Sequence, residues 1–126
     1  MPKPNVKGLS LNRTHVRSRR SQIYGSLTGT TKLQIAEKIR QRRAQMLIHS
    51  CIYYELNDNV VSDHKWQQWA DELQQLQEHN PDLLEINFFD KEFQDWTGAT
   101  GNHLPHRHPW VLQKAHYILE VNNGLN

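Results

Sequence analysis

The sequence predicts a mostly α-helical fold: an antiparallel helical hairpin, a third C-terminal helix, and an extended basic N-terminal arm. Three observations predict it. Apolar residues recur at helical spacing in three segments without an internal Gly or Pro. No strand-like pattern exceeds four residues. Residues 1–29 combine cations with Pro2, Pro4, Gly8, Gly25 and Gly29 and show no sustained apolar period. With 126 residues the chain has room for one domain, so the expected organisation is a flexible arm over 1–29 and a helical domain over 30–126.

The first helix is expected from about Lys32 to Leu56, capped by Thr30 or Thr31, whose hydroxyl oxygens can accept a free first-turn amide. Ile35, Ile39, Met46, Leu47, Cys51 and Tyr54 form its apolar stripe, and Arg40, Arg42 and Arg43 place a basic face at its middle. Ser62 or Asp63 begins the second helix, which carries Trp66, Trp69, Ala70, Leu73 and Leu76 and ends before Asn80-Pro81, because proline disfavours helical geometry in the residue before it. The five residues from Asn57 to Val61 are few enough to force the two helices antiparallel. Residues 81–108 read as a wrapping loop with a short helical turn, its aromatics Phe88, Phe89, Phe93 and Trp96 filling one side of the hairpin. The third helix runs from Pro109 to about Val121: Pro suits a first helical position, Val111, Ala115, Ile118 and Leu119 form a stripe, and Asn122-Asn123-Gly124 stops it.

Charge is segregated along the chain. Residues 1–50 hold 11 Lys or Arg against the single acid Glu37, whereas residues 51–126 hold 4 against 12, so a net charge of +2 conceals halves of +10 and −8. Such separation implies that the basic half meets a polyanion. Lys3, Lys7, Arg13, Arg17, Arg19 and Arg20 in the arm, with Arg40, Arg42 and Arg43 in the first helix, are the candidate nucleic-acid contacts, each neutralised phosphate adding a salt-dependent increment of affinity. An acidic protein surface is the other partner of that chemistry. The longest apolar stretches are three or four residues, against the roughly 20 that span a bilayer, and no apolar signal core lies in the first 30 residues; a cytoplasmic location without membrane contact is expected. Cys51 is the sole cysteine, which excludes an intrachain disulfide and a cysteine-built zinc site.

From Ile52 the chain presents a tyrosine pair, a five-residue turn, a Ser-Asp helix start, an aromatic three residues on, a Glu-Leu-x-x-Leu stripe and a terminal His-Asn-Pro-Asp-Leu. This ordered set resembles the N-terminal Ia subdomain of bacterial NAD-dependent DNA ligases, over about residues 32–85. The later Trp110-Val111-Leu112-Gln113-Lys114-Ala115 is similar to a segment of small ligase-like proteins of bacteriophages, for which the location would be the host cytoplasm. The resemblance implies that Tyr53 and Tyr54 face the nicotinamide ring and its ribose or phosphate, that Asp63 holds a ribose hydroxyl or the carboxamide, and that Trp66 replaces a ring-contacting tyrosine. An aromatic face attracts a pyridinium cation by about 0.5–2 kcal/mol, and a carboxylate supplies opposite charge. Gln67 departs from the family, which has a second aspartate there, so NAD or NMN binding is expected to be weak and no resident cofactor is expected. The Lys-x-Asp-Gly motif that supplies the ligase nucleophile is absent, and with it the expectation of an enzyme.

His103, His106 and His108 fall within six residues, and imidazole is a common metal ligand. Pro105 strains a closed site and Arg107 repels a cation, so no metal is expected. The sequence therefore predicts a non-catalytic protein that binds DNA or a DNA-processing or defence protein, with an NAD/NMN-binding module as the alternative.

Overall fold

In the computed structural model, which describes residues 28–124, three α-helices make up the architecture: α1 over Thr28–Ser50, α2 over Asp63–His79 and α3 over Pro109–Asn122. No strand occurs among the described residues. The arm, apart from its last two residues, which open α1, lies outside them. Helix α1 begins at Thr28, before the predicted threonine cap, so Gly29 falls within its first turn.

Residues Ile39, Arg43, Met46, Leu47 and Ser50 form the buried stripe of α1, at steps of four, three, one and three. The chain then widens into a one-turn π-helix over Cys51–Glu55, in which the Leu56 amide donates to the Cys51 carbonyl at 3.1 Å. An i→i+5 turn takes up an extra residue and changes the phase of the helix. Cys51 and Ile52 stay in the core, whereas Tyr54, expected in the apolar stripe, emerges to 36% exposure. Asn57 ends the turn at φ 56°, a left-handed position that asparagine tolerates.

The cap of α2 is Ser62, whose Oγ accepts from the Lys65 amide at 3.0 Å, leaving Asp63 as the first helical residue, where its charge favours the positive end of the helix dipole. Trp66, Ala70, Leu73 and Gln77 form its buried face. Trp69, expected at the centre of that face, is only half-buried and rests against His49, with ring centroids 5.5 Å apart. Lys32 pairs with Asp82, Arg42 with Glu72, and His49 with Trp69: partner numbers fall as α1 numbers rise, as the predicted antiparallel hairpin requires.

Residues 81–108 wrap the hairpin irregularly after a 3-10 turn over Pro81–Leu83. Phe93, Trp96 and Leu104 enter the core, and Trp96 Nε1 donates to the Ala70 carbonyl at 3.0 Å. Two glycines set the closeness of this wrap. A Cβ at Gly98 would stand 3.3 Å from the Ala70 carbonyl oxygen at φ +79°, and one at Gly101 would lie 2.1 Å from Ser50 Oγ. His108 then caps α3, its Nδ1 accepting from the Trp110 amide at 3.1 Å, with Pro109 in the first turn. Val111 and Ala115 seal α3 against α1 and the π turn.

One polar network crosses this core. Arg43, with no exposed surface, donates through Nε to Gln77 Oε1 at 2.9 Å, through Nη1 to the Phe88 carbonyl at 2.7 Å and Asp90 Oδ1 at 2.8 Å, and through Nη2 to the Leu84 carbonyl at 2.9 Å. Gln77 Nε2 passes the chain of bonds to the Phe93 carbonyl at 2.9 Å. Burial draws the guanidinium below its ordinary value against the opposing pull of Asp90. Burial would raise the Asp90 carboxyl, yet the Phe88 amide, Arg43 and the Asn87 and Ile86 amides together hold it below the usual carboxylate range. Removing one partner of a buried ion pair strands the others. Arg43→Ala is expected to lower stability by about 3 kcal/mol or more, read as a large fall in the urea or thermal midpoint; a midpoint within a degree or two of the parent would remove Arg43 from the centre of the fold.

Candidate functional site

The π turn presents Tyr53 and Tyr54 to solvent at 38% and 36% exposure, the rings edge-to-face with centroids 4.9 Å apart. Tyr54 is also engaged by the wrapping loop. Its ring stacks on His106 at 5.3 Å and 11°, and its hydroxyl lies 3.1 Å from Thr100 Oγ1. His106 Nε2 is 2.8 Å from the Gly101 carbonyl, an acceptor only, so that nitrogen bears the proton. Arg107 reaches back to Glu55 at 2.9 Å, an exposed pair of small energetic value. The face of Tyr54 is thus shared with the chain's own imidazole.

Of the four residues implied for a nicotinamide site, Tyr53, Tyr54 and Asp63 are exposed, and Trp66 is not. Trp66 has no exposed surface; it packs edge-on to Trp96 at 6.2 Å, and its Cζ2 would lie 3.2 Å from a Cβ at Gly101. The expected stacking role for Trp66 is therefore corrected to a core role, because its ring cannot reach a ligand while the loop at Gly101 covers it. Gln67, the departure from the ligase pattern, donates through Nε2 to Asp71 Oδ1 at 3.0 Å and the Gly98 carbonyl at 2.9 Å, so its amide fastens the loop to α2.

The basic face of α1 needs a similar correction. Arg43 lies on the buried stripe, four residues after Ile39 and three before Met46, a register visible in the sequence had the arginine been allowed inside. Arg42 is bound by Glu72 at 2.9 Å and Gln45 at 2.8 Å, its side chain 12% exposed. Neither side chain is available to phosphate as placed. Arg40 is exposed and stands over the Phe88 ring at 4.4 Å. Lys3, Lys7, Arg13, Arg17, Arg19 and Arg20 lie outside the described residues.

Sequence reasoning missed a second aromatic surface. Phe88 and Phe89, expected with Phe93 and Trp96 to fill one side of the hairpin, are partly buried against the core, and there they meet Trp110 and the exposed His108. Phe88 is edge-on to Phe89 at 5.0 Å and to Trp110 at 5.5 Å, and Phe89 is edge-on to His108 at 5.0 Å. Lys114 Nζ lies 5.8 Å over the Trp110 ring. Asn87 and Phe89 adopt φ 62° and 52°, a region costly for a bulky residue. The Asp90 carboxylate holds this turn by accepting from the amides of Ile86, Asn87 and Phe88 at 3.0–3.1 Å. The sequence signal was Asn87, which tolerates left-handed backbone, and Asp90, suited to an amide-binding turn.

The three clustered histidines take separate posts: His103 beside Trp96, His106 on Tyr54 and His108 at the α3 cap. Among the described residues no group of three or more His, Cys, Asp or Glu side chains is placed to hold a metal ion, and no helix is long and apolar enough to cross a membrane. No family model matches the chain, and neither a curated protein nor a solved structure matches it.

His49 Nδ1, Ser50 Oγ, Trp66 Nε1 and Gln67 Oε1 are buried without a hydrogen-bond partner among the described residues. Burial pushes the His49 imidazole down to about 4, so the folded protein holds it neutral. An unfolded chain with an ordinary histidine binds a proton near 6.5, and folding stability therefore declines as pH falls from about 6.5 towards 4. The expected loss is about 2–3 kcal/mol, separable from the Asp90 contribution, which is lost only below the ordinary carboxylate range. Urea midpoints measured across that window should be flattened by His49→Gln; a parent profile already flat would remove the role assigned to His49.

Proposed function

We propose that this protein is a non-catalytic binding protein that engages nucleic acid, or a DNA-processing or defence protein carrying an acidic surface, through its basic N-terminal segment and the adjoining helical face. The segregation of 11 cations against one acid in residues 1–50 carries the reading. Within the helical domain Lys32 and Arg42 are paired and Arg43 is buried, while Lys38 and Arg40 are exposed, so the reading assigns the polyanion contacts to the six arm cations with Lys38 and Arg40. The helix–turn–helix order and the Trp110–Ala115 segment support kinship with stand-alone ligase-like proteins, and the absence of Lys-x-Asp-Gly supports binding rather than self-adenylation.

Replacing Lys3, Lys7, Arg13, Arg17, Arg19 and Arg20 together with glutamine should weaken binding to a labelled oligonucleotide and make the slope of log affinity against log salt shallower, as read by fluorescence anisotropy. An intact chain that binds no oligonucleotide at low salt would end the nucleic-acid reading.

The adjacent, exposed Tyr53 and Tyr54 keep a second reading in play, an NAD- or NMN-binding module using Asp63 as its carboxylate. With Trp66 in the core, His106 on Tyr54 and Gln67 tied to Gly98, binding weaker than millimolar is expected, with no thermal shift at sub-millimolar NMN. A calorimetric Kd in the micromolar range, lost in Asp63→Asn, would put this module first; asparagine retains the polar character of the helix start while removing the charge.

A further inference from the structure

We propose that the wrapping segment from Thr97 to Arg107 is a strap that opens as one unit about Gly98 while the three helices stay folded, uncovering Trp66, Ser50 and the His106-covered face of Tyr54. The inference stands on local packing and does not depend on whether the partner is nucleic acid or NMN.

The strap is tied largely to itself. The Ala99 amide donates to Thr97 Oγ1 at 3.3 Å, the Asn102 amide to Thr100 Oγ1 at 3.2 Å, the Leu104 amide to the Gly101 carbonyl at 3.2 Å and the His106 amide to the Leu104 carbonyl at 2.8 Å. His106 Nε2 closes on the Gly101 carbonyl as well. Bonds within a segment survive its displacement, so the strap moves as a body rather than unravelling. Its flanks are anchored, Trp96 Nε1 on the Ala70 carbonyl and His108 on the first turn of α3. Gly98, at φ +79°, lies between the first anchor and the strap, where rotation about the backbone meets least resistance.

The ties from strap to helices are sparse and mostly superficial. Gln67 Nε2 donates to the Gly98 carbonyl at the hinge itself, the Tyr54 hydroxyl meets Thr100, and His106 stacks on the Tyr54 ring. Arg107 pairs with Glu55 while 80% exposed, and an exposed ion pair contributes little. Leu104 is the strap's one apolar side chain in the core. Against these contacts stand the polar groups that the closed strap covers. Ser50 Oγ and Trp66 Cζ2 lie within 3.2 Å of the place a Cβ at Gly101 would take, so the strap backbone seals both side chains. Ser50 Oγ, Trp66 Nε1 and the Oε1 of the Gln67 amide that meets Gly98 are buried without a hydrogen-bond partner among the described residues. A buried donor or acceptor that has lost water and gained no bond raises the free energy of the closed form, and opening relieves it by readmitting solvent. A segment with little apolar anchorage opens below the free energy of global unfolding.

The two positions of the strap differ in what they offer to a ligand. Closed, it sets His106 on the Tyr54 face that an external planar ring would need and keeps the Trp66 indole in the core. A ligand of that face binds the open fraction alone, and its apparent affinity falls in proportion to that fraction. The strap is thereby an internal competitor for the tyrosine surface.

Native-state hydrogen exchange of the tryptophan indoles, followed by NMR on the full-length protein at urea concentrations below the unfolding transition, reads the opening directly. Trp66 and Trp96 are both buried, but Trp96 is bonded to Ala70 outside the strap and reports the helices. The Trp66 indole N–H should exchange about a hundredfold or more faster than that of Trp96, with a weaker dependence on urea. His106→Ala removes the stack on Tyr54 without touching Trp66 and should speed Trp66 exchange by about tenfold. Ile39→Val loosens α1 far from the strap and should speed exchange of Trp96 and of the Met46 and Leu47 amides while leaving Trp66 as in the parent. Equal exchange of the two indoles, with the same urea dependence, would overturn the strap, because Trp66 would then be uncovered only by global unfolding. It would also be overturned by a Trp66 rate unmoved in His106→Ala, which would mean that solvent reaches the indole without the strap opening, or by a Trp66 rate that follows Trp96 in Ile39→Val.

Discussion

The fold is organised around a charge placed inside it. Arg43 sits on the inner stripe of α1 where a leucine would satisfy the periodicity, and its four hydrogen bonds are distributed among α2, through Gln77, and three points of the wrapping loop, at Leu84, Phe88 and Asp90. A guanidinium suits this post because its planar fork can address several carbonyls at fixed angles, whereas an apolar side chain would leave the turn at 84–90 without a common partner. The energetic consequence is two-sided. Desolvating the arginine is costly, so the network stabilises only while complete, and each member is held to its geometry by the others.

The same network connects interior to surface. Asp90 satisfies Arg43 with one carboxylate and, with the same group, gathers the Ile86, Asn87 and Phe88 amides into the turn that carries Phe88 and Phe89. The position of these aromatic rings therefore depends on an ion pair whose arginine is buried. At the C-terminal end of α1, the π turn performs an analogous operation. By taking up one residue it keeps Cys51 and Ile52 inside and turns Tyr53 and Tyr54 out, and the Gly98–Gly101 passage then approaches closely enough for His106 to lie on Tyr54.

These placements change how the charge segregation reads. Counting residues makes the first 50 a continuous basic stretch, yet in space the helical part of it is largely consumed by internal partners: Lys32 by Asp82, Arg42 by Glu72, Arg43 by Asp90. The acidic half of the chain is in part the counter-charge of the basic half of α1. Among the described cations of that half, Lys38 and Arg40 are the ones left exposed without an ion pair shown here.

The elements themselves were legible in the sequence because local rules determine them. Ser62 as a cap, Asn80-Pro81 as a stop, Pro109 at a helix start and Asn123-Gly124 at its end act within a few residues, and the apolar periods of α1, α2 and α3 fix which faces turn inward. The short link after the tyrosines made the hairpin antiparallel. Tertiary structure decided the rest. Whether an arginine at a core register is buried depends on acceptors 34–47 residues away, whether Trp66 is covered depends on a glycine 35 residues later, and whether Tyr54 points in or out depends on one i→i+5 turn. Helix periodicity specifies a direction in space, but what waits in that direction is supplied by distant segments, and the free energy of burying a charge or exposing a ring is set only once they have met.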